Sequence, residues 1–142
     1  MTSVARRVGA PSPPSTLALH GRPDRREIRR WIRGRHSGSF DVRTLVDVLL
    51  VATELIDNAY RHTSSPIELR IACTDFGVLV EVADGEREHP VEMAESRRVW
   101  GGRGVQAVVE LATSWGVRVE GKGKSVWALL PVVGTKAEPR SG

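Results

Sequence analysis

The chain predicts an α+β fold: a two-layer α/β sandwich in which a mixed, mostly antiparallel sheet is covered on one face by helices. Three observations lead there. Residues 67–74 and 78–83 are rich in alternating apolar positions and are joined only by Asp75, Phe76 and Gly77, too few for a crossover, so they form an antiparallel hairpin. Residues 117–119 and 125–130 repeat the arrangement across Gly121-Lys122-Gly123-Lys124. Before and between these hairpins apolar residues recur at the helical period, so helices must cover the apolar face of the sheet.

Taken in order, residues 1–14 mix proline, serine and arginine without a period and read as a disordered tail. Residues 16–20 alternate weakly and read as a short edge strand. Pro23 stands at the start of a first helix, where its missing N–H costs nothing. The apolar face of that helix is thin (Ile28, Trp31 and Ile32), and Arg25, Arg26, Arg29, Arg30 and Arg33 cover the rest. Such a charge run has two readings, a solvated face and a partner-docking helix. Gly34 to Gly38 closes this helix, and Ser39 or Asp41 caps the next. In the second helix Leu45, Val46, Leu49, Ala52, Ile56 and Ala59 give the expected core face, with Asp47, Val51, Glu54, Asn58 and Arg61 along another. Thr63-Ser64-Ser65-Pro66 breaks it. Cys73 falls on the apolar side of its strand as a small core residue. Asp84-Gly85 ends the following strand, and a polar run continues to Trp100. Gly101-Gly102-Arg103-Gly104 then opens a third helix with apolar positions Val105, Val108, Val109, Ala112 and Trp115. Trp100, Trp115 and Trp127 read as core or lid packing, since large aromatics mainly bury area. Residues 134–142 read as a flexible tail, which leaves residues 15–133 as one domain.

Bulk properties narrow the function. No apolar run approaches the length of a membrane span, and the N-terminus carries arginines without an apolar stretch before Pro11, so a secretory signal is not expected. A single cysteine, Cys73, excludes an internal disulfide and a cysteine-rich zinc site. A cytoplasmic location follows as the expectation. The formal net charge of +4 is unevenly spread. Residues 1–36 carry nine arginines against Asp24 and Glu27, a net of +7, whereas the remainder carries 12 basic against 15 acidic groups, a net of −3. A nucleic-acid reader shows its basic patch on the folded domain itself, so nucleic acid is not the expected partner of the body.

Three features point at one ligand. Glu54 and Asn58 lie four apart on one helix, so their side chains share a face and can act on one group together. An amide oxygen suits Mg2+, a hard cation that shares its shell with water and substrate phosphates, and a neighbouring carboxylate suits a base for an attacking hydroxyl. Asp84 stands at a strand end, where an ionised carboxylate is acceptor-only and would take a hydrogen bond from an exocyclic amine, favouring adenine over guanine. Gly101, Gly102 and Gly104 bare the backbone N–H groups at a helix start for phosphate, and Arg103 adds a cation. Each signal also has a plain reading: glycine before a helix is a turn device, and Asp-Gly is common turn chemistry.

The order Glu54-Leu55-x-x-Asn58-Ala59-x-x-His62, then Val82-x-Asp84, then Gly102-Arg103-Gly104-Val105, then Trp115-Gly116 and Gly123-Lys124-x-Val126-Trp127, resembles the GHKL (histidine kinase-like) ATPase domain. More narrowly it is similar to the anti-sigma factor/serine-protein kinase branch found among small actinobacterial ATP-binding regulators, over roughly residues 15–132. The resemblance implies the Bergerat α/β sandwich, with ATP and Mg2+ as cofactors. It implies Asn58 as the Mg2+ ligand, Glu54 as the catalytic base, Asp84 as the contact to the adenine amine, and Gly102, Arg103 and Gly104 closing over the phosphates. The polar loop from Glu86 to Trp100 becomes the lid over ATP. His62 matches a position often histidine in this branch; at a helix C-terminus its plainer task is to meet exposed carbonyls. The wider family has Asp-x-Gly-x-Gly where this chain has Asp84-Gly85-Glu86-Arg87-Glu88, so two glutamates stand where glycines are expected.

Two functions follow as expectations, with nucleic-acid binding through the arginine-rich first helix as a third. One is an ATP-dependent serine/threonine-protein kinase of the anti-sigma kind, which phosphorylates a serine on a STAS-domain antagonist, sequesters a sigma factor, or does both. The other is a binding module without kinase activity, which Glu86 and Glu88 favour by placing negative charge beside phosphates. Homodimerisation is open in both.

Overall fold

The computed structural model describes residues 13–62, 66–84, 106–121 and 123–132. Eight elements follow in chain order: β1 (Ser15–Ala18), α1 (Arg25–His36), α2 (Val42–His62), β2 (Pro66–Thr74), β3 (Gly77–Asp84), α3 (Gln106–Leu111), β4 (Ser114–Glu120) and β5 (Gly123–Leu130). The strands form one five-stranded sheet in the order β1-β2-β3-β5-β4. Every neighbouring pair in it is antiparallel, so the sheet is antiparallel throughout rather than mixed. The reason is topological. The connection from β3 through α3 to β4 skips one place, and β5 turns back by a hairpin into the gap.

Alternation along the strands sorts the two faces. Leu69, Ile71, Val78, Val80, Val82, Val126 and Ala128 are buried in one core with Ile28, Ile32, Val48, Val51, Leu55 and Ile56 of the helices. Helix α2 lies on β2, β3 and β5, and α1 and α3 flank it. The opposite face carries an ionic cluster. The buried Glu81 carboxylate accepts from Arg118 Nη2 and, at 3.1 Å, from Ser125 Oγ, with Arg70 Nη1 3.8 Å away. Trp127 lies on this second face across from Gly116, where an added Cβ would stand 3.2 Å from the indole. It is therefore outside the helix-covered core. Trp115, on the other face, packs against that core, and Trp100 lies outside the described residues.

The ends of the helices have local causes. Asp24 caps α1: its Oδ1 accepts from Glu27 N at 2.8 Å while Glu27 Oε1 accepts from Asp24 N at 2.8 Å, a reciprocal capping box. Pro23 thus stands one residue outside the helix cap, not inside its first turn. The helix also runs through Gly34 to His36 before it closes, because Ile28, Ile32 and His36 bury one continuous stripe. Of the two candidates for the α2 cap, Asp41 takes the role, accepting from Thr44 N at 2.9 Å.

Two expectations are corrected. On α2, Leu49, Ala52 and Ile56 are buried and Leu45 and Ala59 pack against the core as expected, but Thr44, Val48, Val51 and Leu55 are buried as well and Val46 is exposed. A helix wedged between a sheet and two flanking helices buries a wider arc than an apolar stripe predicts, so Val51 turns inward. The third helix ends at Leu111, and Trp115 belongs to β4 opposite Ala128. Thr113 makes the break by donating from both its N–H (2.8 Å) and its Oγ1 (3.1 Å) to Leu129 O, which hands the chain to the sheet. Val109, expected on the apolar side of this helix, is exposed.

Candidate functional site

Asn58 continues the inward line of α2 three residues after Leu55 and is 2 % exposed. Its Oδ1 has no hydrogen-bond partner among the described residues, a condition shared there only by His36 Nε2. Most buried polar atoms are satisfied, so a native exception asks for an explanation, such as a ligand or ion bound at that atom. One turn earlier, Glu54 is half-buried and its Oε1 accepts from Ala107 N at 3.0 Å. That N–H is one of the unsatisfied donors in the first turn of α3. Glu54 therefore caps α3 from another helix. The chain uses the favourable meeting of a carboxylate with a helix start to dock α3 on α2.

Asp84 closes β3, on the same face as Val82, and register places it directly opposite Lys124 at the start of β5. The two side chains form an ion pair, Nζ to Oδ2 3.4 Å, and each is 6 % exposed. Among the described residues this is the ion pair with both partners buried. It lies at the same end of the molecule as Asn58. Helix α2 ends at His62, β2 begins at Pro66, and Pro66 is the register partner of Asp84. The chain then leaves the described region at Asp84 and returns at Gln106, beside the Glu54 carboxylate.

Asn58 and Asp84 thus lie toward the same end of the helix–sheet layer, with Glu54 one turn before Asn58 on α2. Gly102, Arg103 and Gly104 lie outside the described residues, as do the run from Glu86 to Trp100, the side chain of His62 and both terminal tails beyond residues 13–132. Among the described residues no cluster of three or more His, Cys, Asp or Glu could hold a metal ion. A cation at Asn58 Oδ1 would draw its remaining ligands from phosphate and water, both of which Mg2+ commonly keeps in its shell.

Sequence reasoning missed three contributors. Lys124 stands in a hairpin turn and in the Gly123-Lys124-x-Val126-Trp127 pattern without an assigned role, and its task appears once register sets it against Asp84. Asp57, between Ile56 and Asn58, is bound by Arg25 of α1 and so ties the first helix to the site helix. Tyr60 donates from its hydroxyl to Leu19 O at 3.1 Å beneath the Arg22 guanidinium, which lies 4.0 Å from the ring centroid. Burial pushes the Tyr60 phenol up, with Arg22 opposing. Cys73 is half-buried against the core, and burial raises its thiol.

Compared with protein-family descriptions and with curated proteins, the chain finds no match.

Proposed function

We propose that the chain is an ATP-binding regulatory domain of the anti-sigma serine-kinase type, acting in the cytoplasm on a sigma factor or a STAS-domain antagonist. The single observation that carries this reading is the buried, unpartnered Asn58 Oδ1 on the helix that also bears Glu54. Leaving such an acceptor unmet costs roughly 1–3 kcal/mol, which a cation at that atom offsets. Asn58 holds the metal in this reading, and Asp84 receives the adenine amine, with Lys124 orienting its carboxylate from 3.4 Å. Bound Mg-ATP supplies the activated phosphoryl group. Glu54, fixed by Ala107 N, orients a serine hydroxyl and takes its proton. No helix of the described residues is long and apolar enough to cross a membrane, which suits a cytoplasmic regulator.

A second reading, a partner-binding module without turnover, has its own support. Glu54 is committed to capping α3 and Asp84 to the pair with Lys124, so both carboxylates have structural employment without a nucleotide. Calorimetric titration with Mg-ATP separates the branches. The first reading expects binding by the native chain, loss on Asn58→Ala and Asp84→Asn, and phosphate transfer to a STAS-domain serine that Glu54→Gln abolishes. Binding without transfer selects the module, and no binding by the native chain rejects both nucleotide roles.

A further inference from the structure

We propose that the arginine face of α1 is a docking surface for an acidic segment of a partner protein, one that presents a row of carboxylates at helical spacing. This inference needs neither Asn58 nor Asp84 and goes beyond the nucleotide reading.

Its starting point is how α1 is held. Ile28, Ile32 and His36 are buried, the capping box fixes the first turn, and Arg25 is bound to Asp57. With that orientation set, Arg26, Arg29, Arg30 and Arg33 fall at i, i+3, i+4 and i+7 on an exposed face. They line an open depression of about 630 Å³ together with Gly34 and Ser37. Gly34 leaves open space where a side chain would otherwise stand.

None of these four arginines forms an ion pair among the described residues, although Arg25, Arg70 and Arg118 all do. Like charges at i, i+3 and i+4 repel and weaken a helix. The face is therefore not arranged for the stability of this domain, and a partner of opposite charge would relieve the repulsion.

Charge and length decide the class of partner. Arg33 stands seven positions after Arg26, a stripe of roughly 10 Å at 1.5 Å per residue. Carboxylates at i, i+3, i+4 and i+7 on an acidic helix make a row of the same length. Guanidinium groups match carboxylates by two parallel hydrogen bonds, which gives geometric as well as electrostatic selection. The stripe is short for a polynucleotide, and residues 37–142 taken together carry a net charge of −3. A short acidic protein segment fits; a long polyanion does not.

The test uses the full chain at physiological salt, without nucleotide, and fluorescence anisotropy of three labelled probes. One is a synthetic helical peptide with glutamates at i, i+3, i+4 and i+7 on one face. The second has the same composition with the glutamates scattered around the helix, and the third is single-stranded oligothymidine. The expected result is about tenfold tighter binding of the ordered peptide than of the scattered one. Arg29→Lys/Arg30→Lys should weaken that preference, whereas Asn58→Ala should leave it unchanged. Equal binding of the two peptides, no binding of the ordered peptide, or tighter binding of oligothymidine than of the ordered peptide overturns the proposal. Circular dichroism of the double lysine variant checks that α1 is intact, and an Arg30→Glu variant that still binds the ordered peptide undiminished overturns it as well.

Discussion

Asp84 and Lys124 meet across the β3–β5 ladder as a buried ion pair, each side chain 6 % exposed, at the end of the sheet where α2 delivers Asn58. Two charges taken out of water recover their desolvation cost only while both are present. Removing one is therefore worse than removing both.

Lys124→Met should lower the unfolding free energy by about 3 kcal/mol, because it removes the buried counter-charge of the Asp84 carboxylate. Asp84→Asn should cost a similar amount. The double variant should cost less than the sum of the two, since the Asn–Met combination strands no charge. Urea titration of the four proteins gives this cycle, and additive losses would show that the two groups act independently.

Glu54 is asked to do two things, and conservative substitution separates them. Glu54→Gln keeps an oxygen that can accept from Ala107 N, so stability should change by less than about 1 kcal/mol. Glu54→Ala uncaps α3 and should cost about 1 kcal/mol, as loss of a helix cap ordinarily does. If the glutamine variant unfolds as readily as the alanine variant, the cap depends on charge rather than on the hydrogen bond.

Local patterns reached most of the fold. The hairpin of β2 and β3 was legible because side-chain alternation and a short turn are both local, and the same holds for the weak edge strand β1. Glu54, Asn58 and Asp84 were likewise legible as residue types at a spacing. What was not legible depends on contacts distant in sequence. The wider buried arc of α2 required knowing that a sheet and two helices surround it. The end of α3 was set by Leu129 O, an acceptor 16 residues from Thr113, which no helical period records. Lys124 needed the register. The capping box Asp24-x-x-Glu27 was available in the sequence and would have placed the cap of α1 at Asp24, one residue beyond Pro23, and its first turn from Arg25.

Gly77 is the tightest position of the β2–β3 turn. Its φ of +135° is a conformation L side chains rarely adopt, and an added Cβ would run into the Leu130 carbonyl oxygen. Both the backbone and the neighbour forbid a side chain, so Gly77→Ala should cost about 3 kcal/mol or more. Gly116→Ala meets only the edge of the Trp127 ring at 3.2 Å, and a side chain can give way. Its cost should be about 1 kcal/mol, within reach of small repacking. Denaturant midpoints rank the two, and a reversed order would mean that the β3–β5 edge yields more easily than an indole.

His36 sets a pH dependence with a defined sign. Its ring stacks on Phe40 at 5.6 Å and meets Trp31 edge-on at 6.4 Å, and its Nε2 is buried without a partner among the described residues. Burial, and then the neighbouring Arg35 charge, hold its pKa below the ordinary 6.5. As pH falls through 6.5 the unfolded chain binds a proton that the folded chain still refuses, so folding stability declines with acid. The decline levels off once pH drops below the folded value, where both states are protonated. His36→Phe keeps an aromatic ring beside Phe40 and removes the titrating group. The difference in unfolding free energy between this variant and the native chain should be flat above pH 6.5 and should move in favour of the variant below it. Carboxylates elsewhere titrate in both proteins and drop out of that difference. Chemical denaturation at a series of pH values measures it, and a difference that stays constant across the range would show that His36 does not resist protonation in the fold.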